Sequence, residues 1–354
     1  MKEKTVLKVL MVGPDRSVHG GISGVVNNYY GAGLDRKIDL CYIGTMVEGS
    51  KLRKLLQAVL AYIWFLKQLP HYEIVHVNMA SDASYYRKSF FVRAAKRAGK
   101  KIVIHQHGGD FQGFYTHLSA TKKEKVRKVL SLGDAFLVLA PFWKEFFGHM
   151  VDPNKIIVFP NAVPKIEVKN KEYGGQKILF LGRICKEKGI GELFSVIPDL
   201  KQKFPQCQIY LGGIWEDEEL RKRAEKLKFC VTYVGWLSGE EKQRYLRECD
   251  IFVLPSYFEG QPVSVLEAMG YACTIVASGV GGISHMITDG ESGVLVKPKD
   301  AGSLKTGLET VLSDGSLCEK LGKAAKQKVE REFSLETSIE RLLQLYNEIL
   351  GKGN

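Results

Sequence analysis

Apolar and polar positions change period repeatedly along the chain. Short runs rich in Val, Ile, Leu and Phe alternate with longer stretches of helical spacing. In the first half, "VLKVLMVG", "EIVHVNMA", "KIVIHQHGGD" and "AFLVLAP" read as strands that end on polar residues or glycine. Helical stretches such as "GISGVVNNYYGAGL", "YRKSFFVRAAKRAGK" and "TKKEKVRKVLSLG" accompany them. The second half restarts the pattern with the strands "QKILFLGRI", "CQIYLGGI", "FCVTYVGW", "DIFVLPSYFEG", "ACTIVASGVGG" and "SGVLVKP". Its helices include "GELFSVIPDLKQKFP", "SGEEKQRYLREC" and "PVSVLEAMGY". Strands alternating with helices predict parallel sheets with helices on both faces. The restart follows "VFPNAVPKIEVKNKEYGGQ", whose prolines, polar run and Gly-Gly place a linker near residues 162–175. The fold class is therefore α/β, with two doubly wound Rossmann-like domains over residues 1–165 and 175–333.

Length agrees, since 354 residues exceed one ordinary core. Hydrophobic residues at 45% and charged residues at 25% match soluble globular composition. No run of about 18 uncharged apolar residues is present, so no membrane span is expected. The start, "MKEKTVLKVLMVG", reads as a strand rather than a signal peptide. Seven scattered cysteines without a CxxC pair read as reduced, mostly buried side chains of a cytoplasmic protein.

Charge divides the chain further. The net +12 sits in the first half, where residues 1–165 hold 25 Lys and Arg against 12 Asp and Glu; residues 166–354 hold 26 against 27. A basic half suits nucleic acid, a membrane surface or an anionic substrate. No RNA- or DNA-binding motif is present, which disfavours the first. Residues 51–69 place Lys51, Arg53, Lys54 and Lys67 around an apolar run containing Tyr62, Trp64 and Phe65. That segment reads either as a helix at an anionic membrane interface or as a core-packed helix.

Doubly wound sheets bind ligands at the carboxyl ends of their strands, and a cleft between two such domains is the expected site. After the first strand, Gly20, Gly21 and Gly24 precede a helix, as an anion cradle or as a tight turn. Neither GxGxxG nor GK[ST] occurs there, so the dinucleotide fingerprint and the P-loop are excluded. In "HQHGGD", His105 and His107 share one side of a strand. No third residue at metal-ligand spacing accompanies them, so hydrogen bonding to a substrate competes with a structural turn role. In "FLGRICKEKGI", Arg183 and Lys188 flank a helix start, as a diphosphate seat or as a solvated basic loop.

In "FEGQPVSVLEAMG", Glu259 falls in a loop and Glu267 lies one to two turns inside a helix that begins near Pro262. A carboxylate beside a phosphate repels it, so both glutamates suit the hydroxyls of a sugar or ribose. The N–H groups of Gln261 to Val263, with Arg183 and Lys188, then suit the phosphates. The plainer alternative is a loop charge and an exposed helix residue. Gly279, Gly281 and Gly282 form another phosphate-compatible turn or an ordinary strand-to-helix loop.

Together these segments resemble the GT-B glycosyltransferases, specifically the retaining family 4 group, over nearly the whole chain. "FEGQPVSVLEAMG" resembles that family's E-x7-E motif, "GRICKEKG" its GR…KG signature, "HQHGGD" its H-x-H-G-x-D segment and "HGGISGVV" its N-terminal glycine loop. The resemblance implies two Rossmann-like domains facing across a cleft, with a C-terminal helix, 334–354, packing back on the first. It implies a nucleotide-sugar donor held mainly by the second domain. Arg183 and Lys188 are implied to hold the diphosphate and Glu267 the ribose. Glu259, with Gly260, Gln261, Pro262 and Val263, is implied to hold the sugar, and Gly235 and Trp236 to lie near the base.

From the first domain, Gly20 and Gly21 are implied on the donor side, His107 at the donor sugar, and Gly108 and Asp110 on the acceptor side. The implied catalytic set is His107, Arg183, Lys188 and Glu259. No metal and no other cofactor is expected, because no DxD ends a strand. The expected reaction moves a hexose or N-acetylhexosamine with retention, from a UDP-sugar first and GDP-mannose next. The acceptor is a glycan or lipid-linked glycan of capsule, exopolysaccharide or lipopolysaccharide assembly, at the inner membrane face. The rivals are an epimerase or phosphorylase on the same fold, and a basic nucleic-acid-binding protein. Two positions depart from the family pattern: "NAV" at Asn161 in place of NGV, and "EGQP" in place of EGFG.

Overall fold

The computed structural model describes residues 6–168 and 171–352. The chain divides into two compact units. One is Lys165–Ser334; the other is everything before Lys165 together with the segment that begins at Leu335.

The first unit is built on six strands: β1 (Lys8–Gly13), β2 (Asp39–Gly44), β3 (Ile74–Met79), β4 (Lys101–Gln106), β5 (Ala135–Val138) and β6 (Ile156–Val158). Its helices are α1 (Gly21–Gly31), α2 (Leu34–Lys37), α3 (Lys51–Gln68), α4 (Asp82–Arg97), α5 (Phe111–Thr116), α6 (Ala120–Leu130) and α7 (Pro141–Gly148). The sheet order is β2-β1-β3-β4-β5-β6, and every pair is parallel. All residues of β3 and β5 are buried. That burial on both faces is why these strands read as near-continuous apolar runs.

The sheet reverses direction between β1 and β3. Right-handed crossovers therefore put α1 on one face and α3, α4, α6 and α7 on the other. The last helix, α15 (Leu335–Ile349), belongs to this unit and packs against α1. Its buried face carries Ile339, Leu342, Leu345 and Tyr346, and the Tyr346 hydroxyl lies 2.6 Å from His76 Nδ1. Of the segment expected to return to the first domain, residues 353 and 354 lie outside the described residues.

The second unit carries β7 (Lys177–Leu181), β8 (Gln208–Gly212), β9 (Val231–Gly235), β10 (Ile251–Leu254), β11 (Thr274–Ser278) and β12 (Val294–Val296). Between and after them come α8 (Ile190–Lys203), α9 (Glu218–Lys226), α10 (Gly239–Glu248), α11 (Val263–Gly270), α12 (Ile283–Met286), α13 (Ala301–Ser313) and α14 (Gly315–Glu332). The order is β12-β11-β10-β7-β8-β9, again parallel, with the reversal between β7 and β10.

The stretch read as a linker, 162–175, includes residues 169 and 170, which lie outside the described residues. What is described beyond Lys165 packs on the second unit. Lys171 Nζ donates to the carbonyls of Leu246 and Tyr271, and the Tyr173 hydroxyl donates to Ala272 O at 2.7 Å. The polar composition that looks like a free connector serves instead to satisfy carbonyls near the ends of α10 and α11. All seven cysteines are free thiols, five of them buried. No helix among the described residues is long and apolar enough to cross a membrane.

Candidate active site

The reversal between β7 and β10 places the loops after these two strands side by side, the position where doubly wound sheets take ligands. The loop after β7 carries Arg183 and then a short 3-10 turn, Lys186–Lys188, that feeds α8. Gly189 joins the two at φ +69°, and a Cβ there would lie 2.0 Å from Pro255 O. That close approach brings the β7 loop against the β10 loop. The Tyr257 amide, which donates to Glu187 O at 2.8 Å, seals the two together.

Here the structure joins residues that are 71 positions apart. Lys188 Nζ donates to Glu259 Oε1 at 2.5 Å, and Ser256 Oγ donates to the same oxygen at 2.7 Å. Glu259 is buried, its side chain 9% exposed and that of Lys188 18%. It is not the solvated loop charge of the plainer reading. Glu267 begins the second turn of α11 and accepts from Lys242 Nζ of α10 at 2.6 Å. Pro262 is the N-cap of α11 rather than its first residue. The helix follows directly on the loop that holds Glu259, and its first amides, from Val263 on, have no partner inside it.

Arg183 is set differently from Lys188. Half exposed, it pairs through Nη1 with Glu216 Oε2 at 2.9 Å, ahead of α9. The two cations expected to share one anion are thus each held by a different carboxylate. Gly235 ends β9 and accepts from the Gly213 amide at 2.7 Å, with the partly exposed Trp236 next to it.

The glycines after β11 have a structural task. At Gly281, φ is +52° and a Cβ would meet Glu259 O at 1.9 Å; at Gly282 it would meet Gly260 O at 2.0 Å. The Gly282 amide donates to Gly260 O at 2.8 Å. This turn is a backbone buttress under the Glu259 loop, and Gln261 beside it is buried.

In the first unit, Gly20 is the N-cap of α1 and Gly21 its first residue, and a Cβ on either would meet nothing within 4 Å. The helix start is open in front. His107 follows β4. Its amide donates to Met79 O and its Nε2 lies 2.9 Å from Asn78 Oδ1. Asn78 Nδ2 donates to Val12 O, which turns Oδ1 toward the imidazole. Nε2 therefore carries the proton and Nδ1 is an acceptor. His105 lies on the same side, with ring centroids 4.0 Å apart. Among the described residues no group of three or more His, Cys, Asp or Glu is arranged to hold a metal ion. Gly108 packs against the Ser81 backbone, and Asp110 is the N-cap of α5. Burial, and then the charge of Asp82, push the Asp110 carboxyl above its ordinary value.

His76, His105 and His107 are neutral. Burial lowers His76 to about 3; burial, with His76 and Lys88, lowers His107 to about 3; His105 is also held well below 6.5. Through these histidines the unfolded chain binds more protons than the folded one between pH 3 and 6.5. Their contribution to stability is fully present above pH 6.5 and is lost as pH falls. At pH 5, His76 and His107 each remove about 2 kcal/mol. Urea midpoints across this range check this, and His76→Gln is expected to flatten the slope.

Sequence reasoning missed Lys242, Ser256, Glu216 and Asn78, all of which hold an expected site residue. For Lys242 a signal existed: it follows Trp236 by six positions, just past the segment assigned to the base.

Residues 163–328 match the family model for glycosyl transferases group 1. The amylovoran biosynthesis glycosyltransferase of Erwinia amylovora is 27% identical over 261 residues, covering 70% of this chain and 63% of the relative. The chain spans less than two thirds of the length of the curated relatives that it matches. Sucrose-phosphate synthase from Thermosynechococcus elongatus superposes with a TM-score of 0.80 at 18% identity, covering 98% of this chain and 99% of the other. HepE from Anabaena, in complex with UDP and glucose, gives 0.76 at 15% identity over 96% and 99%. The fold is GT-B.

Proposed function

We propose, from the match of residues 163–328 to the family model for glycosyl transferases group 1, that this chain is a glycosyltransferase. It moves a hexose or N-acetylhexosamine from a nucleotide sugar to a glycan or lipid-linked acceptor of a cell-surface polysaccharide. The observation that carries this reading is the Lys188–Glu259 pair at the reversal point of the second sheet, with the Lys242–Glu267 pair a turn further along α11. One carboxylate and one cation in each pair match a ligand that alternates hydroxyls with phosphates.

Without donor, Lys188 neutralises Glu259. An incoming diphosphate takes the lysine, whose compact ammonium moves on a flexible stem. Glu259 is then free to accept the hydroxyls of the transferred sugar. Glu267, oriented by Lys242, accepts the ribose hydroxyls. Arg183, released from its exposed pair with Glu216, joins the diphosphate. His107, with Nδ1 as acceptor, and Asp110 serve the sugar and acceptor from the first unit, with Gly20 and Gly21.

In the reaction the bond from the anomeric carbon to the diphosphate oxygen breaks. The acceptor oxygen takes its place on the same face, and its proton passes to the departing diphosphate. The cations and the α11 amides stabilise the charge that develops there without a metal. The UDP held by HepE supports a UDP-sugar donor, with GDP-mannose next.

A thermal-shift panel of nucleotide sugars, followed by release of nucleotide from the best donor, tests this. Release only when an acceptor is added separates transfer from epimerase or phosphorylase chemistry. Arg183→Ala is expected to lower transfer about 100-fold with the melting temperature unchanged, because its exposed ion pair adds little stability. A rate near that of the parent would remove Arg183 from the site.

A further inference from the structure

Helix α3 has two apolar faces, and the fold buries one. Ala61 and Phe65 are buried in the core of the first unit. Leu52, Leu55, Leu56, Val59, Ile63 and Trp64 are each 49–76% exposed. At 100° per residue these six lie within roughly 180° of the helix circumference, opposite Ala61. A surface helix ordinarily carries polar residues there. Phe90 of α4, exposed and in edge contact with Tyr62, widens the patch.

Charge identifies what covers it. Helix α3 contains no acidic residue, and Lys51, Arg53 and Lys54 occupy its first turn, with Lys67 in its last. Cations at a helix N-terminus oppose the helix dipole, so their placement is not explained by the stability of α3. On the same sheet face, exposed Arg93 and Lys96 of α4 and Lys122 and Lys125 of α6 extend the positive surface. An apolar stripe with an interfacial tryptophan, rimmed by cations, is complementary to a bilayer with anionic headgroups. A second copy of this chain would set like charges against each other.

We infer that α3 lies in the interface of an anionic membrane, with Leu52, Leu56, Val59, Ile63 and Trp64 among the acyl chains and Lys51 and Arg53 on the headgroups. This deepens the lipid-linked branch of the proposed function by naming the surface that brings the chain to such an acceptor.

The test is co-sedimentation of the full chain, without nucleotide sugar, with vesicles of phosphatidylcholine alone or mixed with phosphatidylglycerol. Binding to the mixed vesicles, weakened by salt and accompanied by a blue shift of Trp64 emission that Trp64→Phe abolishes, is expected. Leu56→Gln with Ile63→Gln is expected to lower affinity at least tenfold. Each of Lys51→Ser and Arg53→Ser should lower it about fivefold. These side chains are exposed, so circular dichroism and transfer to a water-soluble acceptor should not change.

A chain that stays in solution beside anionic vesicles, or variants that bind like the parent, would overturn the inference. So would a dimer in sedimentation equilibrium that Leu56→Gln/Ile63→Gln dissolves, which would give the surface to a second copy. Vesicle binding and sugar transfer are read separately, so loss of either leaves the other interpretable.

Discussion

Glu259→Gln lowers sugar transfer about 1,000-fold while the fold persists, because the amide keeps the shape and removes the charge. The carboxylate accepts from Lys188 and Ser256 in a buried setting. An amide meets the hydroxyls of a sugar with one acceptor and one mismatched donor. Lys188→Met tests the other half of the pair. It leaves a buried carboxylate without its cation, so it should cost about 3 kcal/mol of stability as well as activity. The double variant Lys188→Met/Glu259→Leu separates the two effects: stability recovers toward the parent and transfer does not. Initial rates with saturating donor, together with urea midpoints, read both. If Glu259→Gln keeps more than a tenth of the parent rate, the sugar-binding role of Glu259 is wrong.

Gly281→Ala should cost about 100-fold in transfer although it touches no substrate. Its new Cβ would sit 1.9 Å from Glu259 O at a φ of +52°. The Glu259 loop must move by about 1 Å, and a displacement of that size at a catalytic group costs about 100-fold. The expected signature is a loss shared by all donors, with unit-two stability reduced by about 1–3 kcal/mol from backbone strain. Gly24→Ala is the control, since a Cβ there meets nothing. Equal rates in the two variants would show that the β11 turn does not hold the loop.

The alternation of apolar runs and helical stretches was enough to read two parallel sheets, because strands buried on both faces announce themselves. Two strands escaped it. β2 is an edge strand with most of its residues only partly buried, and β6 has three residues. Neither gives a run long enough to separate from a loop.

In the site, the glutamates and basic residues were legible from their spacing, but their pairing was not. Lys188 meets Glu259 across 71 positions and Lys242 meets Glu267 across 25. Only the reversal of strand order brings those loops together. The glycines after β11 suit a phosphate turn by sequence, whereas their backbone supports a neighbouring loop. Residues 51–69 leave a core helix and an interfacial helix both open from sequence; the segment buries Ala61 and Phe65 in the core and leaves a leucine-rich face exposed.

The return of α15 to the first unit also sets a clock during synthesis. That unit lacks the Tyr346–His76 contact and the apolar cover of α15 until residues 335–349 have left the ribosome. All of Lys165–Ser334 is made in between. At ordinary elongation rates this takes roughly ten to thirty seconds. The second unit is itself complete only at Ser334, directly before α15, while the first waits throughout with Tyr29 of α1 lacking its Ser338 partner. The half of the molecule that is translated first is therefore completed last, and nascent-chain chaperones would meet it in that unfinished state.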